Sequence, residues 1–128
     1  MTIKIEVSFG EFLDKLTILQ IKRERISDPA KLKNINNELQ LLQQTWAAHP
    51  KANIDITAEM QQLKAINEKL WDIEDDIRDK ERNKTFDPGF IELARAVYVS
   101  NDERARIKRV INEKLGSDLI EEKSYADY

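Results

Sequence analysis

The chain has 128 residues, carries charge on 35% of them with a net charge of −3, and contains no cysteine. This length fits one domain, so we expect residues 1–128 to form a single unit. Without cysteine, disulfides and thiolate chemistry are excluded, and with one histidine a structural zinc site is excluded too. Positive and negative residues are interleaved along an acidic chain, which argues against nucleic-acid binding.

The sequence has no pattern of a membrane or export segment. The longest apolar run is Ala96–Val99, whereas a membrane span needs roughly 20 apolar residues. The N-terminus, MTIKIEVSFG, lacks the apolar stretch of a signal peptide. We therefore expect a cytoplasmic protein with no membrane association.

The segment Ile3–Val7 alternates apolar and charged residues, which is the period of a strand. A lone strand leaves its backbone groups unpaired. We expect residues 1–7 to contain a short strand, with a partner in the C-terminal tail or in a second subunit.

The first helix is predicted to begin at Ser8, because Ser8 and Glu11 have capping-box spacing. Its apolar residues cover more than one face, which predicts a central helix with several neighbours. The sequence Ser27-Asp28-Pro29 ends this helix and starts the next. The apolar residues are Phe9, Phe12, Leu13, Leu16, Ile18, Leu19, Ile21 and Ile26.

The second helix, ending near Ala48, and the third, beginning near Thr57, each carry an apolar seam with 3, 4 spacing, which in the third helix begins at Leu63. His49-Pro50 marks the loop between them. Two matched seams joined by a short loop predict a long antiparallel helical hairpin. The seams are Leu32, Ile35, Leu39, Leu42 and Trp46, then Met60, Leu63, Ile66, Leu70, Ile73 and Ile77.

Asp87-Pro88 predicts the start of a fourth helix, with Asp87 as its cap. Ser100 and Glu103 repeat the capping-box spacing, so we predict a bend there and a fifth helix that stops at Gly116. Residues 117–128 form a polar tail. The predicted fold class is therefore an all-α helical bundle.

Few catalytic patterns are present. The single histidine, His49, lies in a loop beside Pro50 and has no marked partner for nucleophilic chemistry. The usual glycine-rich phosphate loops are missing. Candidate function therefore has to be sought in clusters of polar residues on the helices.

The first candidate pocket combines charges on the first helix with polar residues at the predicted bend. On the first helix they share one face, and at the bend the start of a fifth helix would offer free N–H groups to an anion. Alternatively, these residues form a solvated stripe and a capped kink with surface salt bridges. The residues are Glu11, Asp14, Lys15, Lys22, Arg95, Tyr98, Asn101, Asp102 and Arg104, with Arg25 and Lys108 beside them.

The second candidate site lies on the third helix and comprises Asp72, Glu74, Asp75 and Arg78. Carboxylates three or four residues apart can hold Mg²⁺ through oxygen ligands. Helical nucleotide pyrophosphatases resemble this arrangement, with acidic i,i+3 pairs on adjacent helices. The alternative is an ordinary exposed charged face.

Three stretches carry a resemblance to a family: EVSFGEFLDKLTILQIKRERI (Glu6–Ile26), LWDIEDDIRDKE (Leu70–Glu81) and FIELARAVYVSNDERARIKRVINEKL (Phe90–Leu115). With them, nearly the whole chain resembles an uncharacterised bacterial family of small helical proteins. The resemblance implies one complete helical domain and no established activity. It also implies a loose association with surface-polysaccharide and glycosyltransferase gene settings.

Two functional hypotheses follow. The first is a non-catalytic accessory or protein-binding protein without cofactor, either homodimeric or bound to another cytosolic protein. The second is an enzyme that binds a small molecule or nucleotide sugar in a polar pocket between helices, with Mg²⁺ needed only in a phosphohydrolase version.

Overall fold

The computed structural model describes all 128 residues, and it is an all-α bundle, as the sequence predicted. The helices are α1 (Phe9–Arg25), α2 (Pro29–Ala47), α3 (Thr57–Arg82) and α4 (Pro88–Leu115), with a 3₁₀ turn at Pro50–Asn53. None of the helices combines the length and apolarity that a membrane crossing requires.

Local chemistry explains where these helices begin and end. The Ser8 hydroxyl accepts a hydrogen bond from the Glu11 N–H at 3.1 Å, and an Asp87 carboxylate oxygen accepts one from the Phe90 N–H at 2.9 Å. Both caps satisfy N–H groups that the first helical turn leaves free. At the other end of α4, Gly116 has a φ of 68°, which glycine adopts without steric cost.

Helix α1 is central, because it contacts each of the other three helices. On one face Leu13 belongs to a core cluster built mainly with residues of α3 and α4. On another face Leu16 and Leu19 pack against Ile35 and Leu39 of α2. The wide apolar surface predicted for this helix is thus divided between two clusters.

The predicted pairing of the second and third helices is wrong. Helix α2 packs on α1 and barely contacts α3, while α3 and α4 form the long antiparallel hairpin. Lys114 at the end of α4 binds Glu59 at the start of α3, and Lys80 binds Asp87 at the opposite end. A regular apolar seam shows that a helix has a partner but does not specify which one, and α1 offers α2 a second apolar face.

The predicted bend and fifth helix are also wrong, since α4 runs unbroken through Ser100. Ser100 is buried in the helix interior rather than at a cap. Ser100 and Glu103 are also neighbours on one face of a continuous helix, and packing along α3 stabilises that continuous form. No helix N-terminus exists there to bind an anion.

The N-terminal strand is not formed within the chain. Residues 1–8 have no regular secondary structure, and the backbone groups of residues 2–7 make no hydrogen bond. The C-terminal tail also contains no strand, so it does not supply the partner. An alternating pattern permits a strand, but a strand also needs a second strand beside it.

Candidate functional site: a charged network and groove between three helices

A buried carboxylate lies where α1, α3 and α4 meet. Asp14 of α1 is only 1% exposed. Arg104 of α4 donates to both of its oxygens, through Nε at 2.9 Å and through Nη2. From α3, Asn67 Nδ2 donates to Asp14 Oδ1 at 2.9 Å and to Thr17 Oγ1 at 3.0 Å. These residues, together with Lys108, form the Asp14 network.

Lys108 gives the network its second cation. Its Nζ lies 3.9 Å from Asp14 Oδ2 and donates to Glu11 Oε2 at 2.7 Å. The hydrogen bonds that Arg104 donates to Asp14 raise the pKa of Arg104, and the negative charge of Asp14 adds to the effect. Because two cations face two carboxylates, the charges are compensated inside the network, as partly buried ions require.

Close approach of α1 to α4 makes these contacts possible. The Gly10 N–H donates to Asn112 Oδ1 at 2.6 Å. A Cβ atom on Gly10 would lie 2.6 Å from the carbonyl oxygen of Lys108. Glycine is therefore required for the backbone of α1 to reach α4, and this places Glu11 and Asp14 within range of the basic residues of α4.

An open groove of about 530 Å³ adjoins the network on the α3 side. Arg104 and Asn101 form the wall supplied by α4, and the opposite wall belongs to α3. We call it the α3–α4 groove. Its other lining residues are Ile18, Ile21, Asn67, Leu70, Trp71, Glu74, Asp75 and Arg78.

The groove unites part of both predicted sites. Asn101 and Arg104 from the first set share it with Glu74, Asp75 and Arg78 from the second. Glu74 and Arg78 form a salt bridge of 3.2 Å along α3. A polar ligand in this groove could meet positively charged hydrogen-bond donors and negatively charged hydrogen-bond acceptors.

Other members of the predicted sites lie elsewhere. Lys15 binds Glu38 of α2 at 2.9 Å rather than Glu11. Asp72 binds Arg25 of α1 at 2.5 Å and does not line the groove. These salt bridges occur at the surface, where such pairs contribute little to stability.

Lys22 and Arg95 are also outside the α3–α4 groove. Lys22 is partly exposed, and Arg95 is exposed on α4. Neither forms a salt bridge. The predicted pocket is thus only partly assembled.

Tyr98 and Asp102 lie under the C-terminal tail, on another side of Arg104. The ring of Tyr128 packs edge-on against Tyr98, with centroids 5.3 Å apart. The neighbouring Asp102 carboxylate raises the pKa of the Tyr128 hydroxyl. Tyr125 and Lys108 contribute to the cavity of about 600 Å³ that remains beneath the tail.

The tail is held near its middle by charge. Glu121 lies 3.4 Å from Lys108, and the positive charge of Lys108 lowers the pKa of Glu121. Glu122 lies 3.6 Å from Arg109 of α4. The tail is therefore a segment without regular secondary structure that surface charges attach to the outer face of α4.

No group of three or more histidine, cysteine, aspartate or glutamate side chains converges in the chain to hold a metal ion. The pair Asp72 and Asp75 illustrates the reason, because Asp72 points to Arg25 while Asp75 lines the groove. The spacing that suggested magnesium places these carboxylates on one helix, but no carboxylate of a second helix joins them.

Sequence reasoning missed Gly10, Thr17 and Asn112 as parts of this site. A signal existed for Gly10, because glycine is a poor helix former, and within a predicted helix it can mark a close approach of another backbone. Asn112 gave no signal, because a polar residue on a charged helix is ordinary. Only the tertiary contact with Gly10 distinguishes it.

Comparison with known proteins shows a family for the chain but does not indicate an activity. No curated protein and no solved structure matches the chain. A family of unknown function (DUF6165) matches residues 3–128, which is almost the entire chain. On this extent of similarity, the chain belongs to that family of unknown function.

Proposed function

We propose that the protein is a non-catalytic helical accessory protein of the cytoplasm that works by binding other protein chains. The observation that carries this proposal is the exposure of apolar side chains in the two terminal segments, which lie outside the helices. These segments flank a bundle that already has its own core. The exposed residues are Ile3, Ile5 and Val7 at the N-terminus and Leu119, Ile120, Tyr125 and Tyr128 at the C-terminus.

Terminal segments without regular secondary structure are suited to protein recognition, because they can add to a partner as a strand. Their free backbone N–H and C=O groups can pair with the edge of a strand, and alternate side chains then determine specificity. At the N-terminus, Ile3, Ile5 and Val7 are all β-branched, which favours a strand. Exposure of these apolar side chains to water is unfavourable, and burial against a protein partner would remove that free-energy cost.

The Asp14 network supports a structural rather than a chemical role for the most buried charges. Both oxygens of Asp14 accept from Arg104, and Oδ1 also accepts from Asn67. A carboxylate that is fully engaged in this way stabilises helix packing. It is poorly placed to accept a proton from a substrate.

Photo-crosslinking tests the proposal. A photoreactive phenylalanine analogue at Ile5 of the full chain, irradiated in cells, should give covalent protein adducts. The same analogue at Asn36, which is exposed on α2, is the matched control. Adducts at Ile5 that exceed the control support the proposal, and equal yields at both positions contradict it.

A second candidate function is binding of a small polar molecule, such as a nucleotide or nucleotide sugar, in the α3–α4 groove. The specific observation in its favour is the convergence there of Arg104 and Asn101 with Arg78, beside the ring of Trp71. Ligand pockets combine an apolar or aromatic wall with a few convergent polar groups.

Two arginines of α3 provide a matched test. Arg78 lines the groove, whereas Arg82 does not, and both are 74% exposed and salt-bridged along the helix. A thermal-shift screen with nucleotides, nucleotide sugars and Mg²⁺ should raise Tm if the groove binds one of them. Arg78→Ala should abolish that rise and Arg82→Ala should retain it. If both substitutions change the ligand-induced rise in Tm equally, the groove is excluded as the binding site.

A further inference from the structure

We propose that residues Ile3–Val7 of two copies of this chain pair as antiparallel strands centred on Ile5. The proposal rests on the protein-binding function above and specifies one partner for the N-terminal segment, a second copy of the chain. It assigns an interface and a register to residues that the bundle leaves exposed.

The segment has the requirements of a strand except a neighbour. Its backbone belongs to no helix and forms no hydrogen bond within the chain. In a strand, Ile3, Ile5 and Val7 would share one face, and they are 90%, 76% and 40% exposed. Lys4 and Glu6 would share the opposite face, and they form no salt bridge within the chain.

The charges of the segment are self-complementary in one antiparallel register. When Ile5 lies opposite Ile5 of the partner subunit, Lys4 lies opposite the partner's Glu6. Opposite charges in directly facing positions stabilise a strand pair. On the other face, Ile3 then lies opposite the partner's Val7, so all facing pairs are matched.

Other registers are less favourable, because they place like charges, or an apolar and a charged side chain, opposite each other. A register centred on Lys4 or on Glu6 places two like charges directly opposite each other. A shift by one residue places apolar side chains opposite charged ones on the same face. Parallel in-register pairing sets Lys4 beside Lys4 and Glu6 beside Glu6.

The pairing leaves room for both bundles. In the antiparallel arrangement, the two α1 helices leave from opposite ends of the ribbon. Residue 8 of one chain is six strand positions from residue 8 of the other, about 20 Å along the ribbon. Because a two-stranded ribbon is small and only marginally stable, we expect a dimer that dissociates on dilution.

Charge reversal tests both the pairing and its register. Lys4→Glu and Glu6→Lys should each weaken self-association about tenfold or more, since each creates two like-charge pairs by symmetry. The double variant, with both changes, should restore wild-type association. An equimolar mixture of the two single variants should form a heterodimer, because glutamates at positions 4 and 6 then face lysines.

Sedimentation equilibrium over a range of concentrations measures these effects, and Lys33→Glu on the exposed face of α2 is the charge-matched control. Unchanged circular dichroism shows that each variant folds. The inference is overturned if the wild type stays monomeric at high concentration or if the single variants associate as the wild type does. It is equally overturned if the double variant and the mixture fail to recover. Crosslinks from Ile5 to a different protein, with a monomeric wild type, would overturn this inference and leave the protein-binding function intact.

Discussion

Asp14 illustrates how much a single residue contributes at the junction of three helices. The sequence placed it among other charges on one face of the first helix, and any of these could have been the buried one. Only Asp14 is fully buried, because Arg104 and Asn67 reach it from the two neighbouring helices. The position of those partners is a tertiary fact, and a helical spacing pattern within one helix does not contain it.

Removing the Asp14 carboxylate should destabilise the fold. Asp14→Ala leaves Arg104 and Lys108 without their buried partner, and we expect a loss of about 3 kcal/mol in the free energy of unfolding. This value is at the low end for buried pairs because Arg104 still reaches solvent. Urea denaturation measures it. Asp72→Ala, at an exposed salt bridge, should leave the urea midpoint almost unchanged. Similar losses of stability in both variants would contradict the prediction that the buried Asp14 carboxylate stabilises the fold.

Gly10 should be intolerant of substitution. Gly10→Ala places a methyl group against the Lys108 carbonyl, so α1 and α4 must separate, at a cost of about 2 kcal/mol. Gly89→Ala is the control, since its nearest neighbour is the flexible end of Lys80 at 3.2 Å. Thermal unfolding should show a lower Tm only for Gly10→Ala. A Gly10→Ala protein as stable as the wild type would refute the close approach.

At the scale of elements, the caps were predictable and the continuity of α4 was not. The side chains of Ser8 and Asp87 each accept a hydrogen bond from an N–H group three residues further along the chain, so sequence spacing suffices to find these caps. Ser100 has the same spacing to Glu103, but it lies in the middle of a helix whose packing on α3 favours an unbroken axis. Local chemistry permits a cap there, and tertiary packing overrides it.

The C-terminal tail should detach in acid. Lys108 lowers the pKa of Glu121, so the attraction is fully present above the ordinary glutamate value of about 4.3 and is lost as pH falls through the lowered value. NMR relaxation of residues 119–128 should therefore show increased motion below about pH 4. Glu121→Gln should show increased motion already at pH 7. A tail equally ordered at both pH values would contradict attachment by charge.

At the scale of the whole molecule, α1 joins two unequal halves. One half is the antiparallel hairpin of α3 and α4, and the other is α2, which packs mainly on α1. Helix α2 buries just Ile35 and Leu39. A helix with one main neighbour and few buried residues loses fewer contacts on opening than the rest of the bundle.

Hydrogen exchange should reveal this difference. We expect amides of α2 to exchange at least about tenfold faster than those in the middle of α1, α3 and α4. Leu39→Ala should accelerate exchange in α2 and leave the α3–α4 hairpin unchanged, whereas Leu63→Ala, in the core on α3, should affect the whole bundle. Uniform exchange across all four helices would show that the molecule opens as one unit.

The sequence by itself determined the helical class, the helix termini with local caps and the central position of the first helix. Each of these depends on residues close together in the chain or on the width of an apolar face. Tertiary structure alone decided that α3 pairs with α4, that α4 is continuous through Ser100, and that Asp14 meets Arg104 and Asn67. Such choices depend on which apolar faces fit each other and on residues far apart in sequence, so no local pattern could have encoded them.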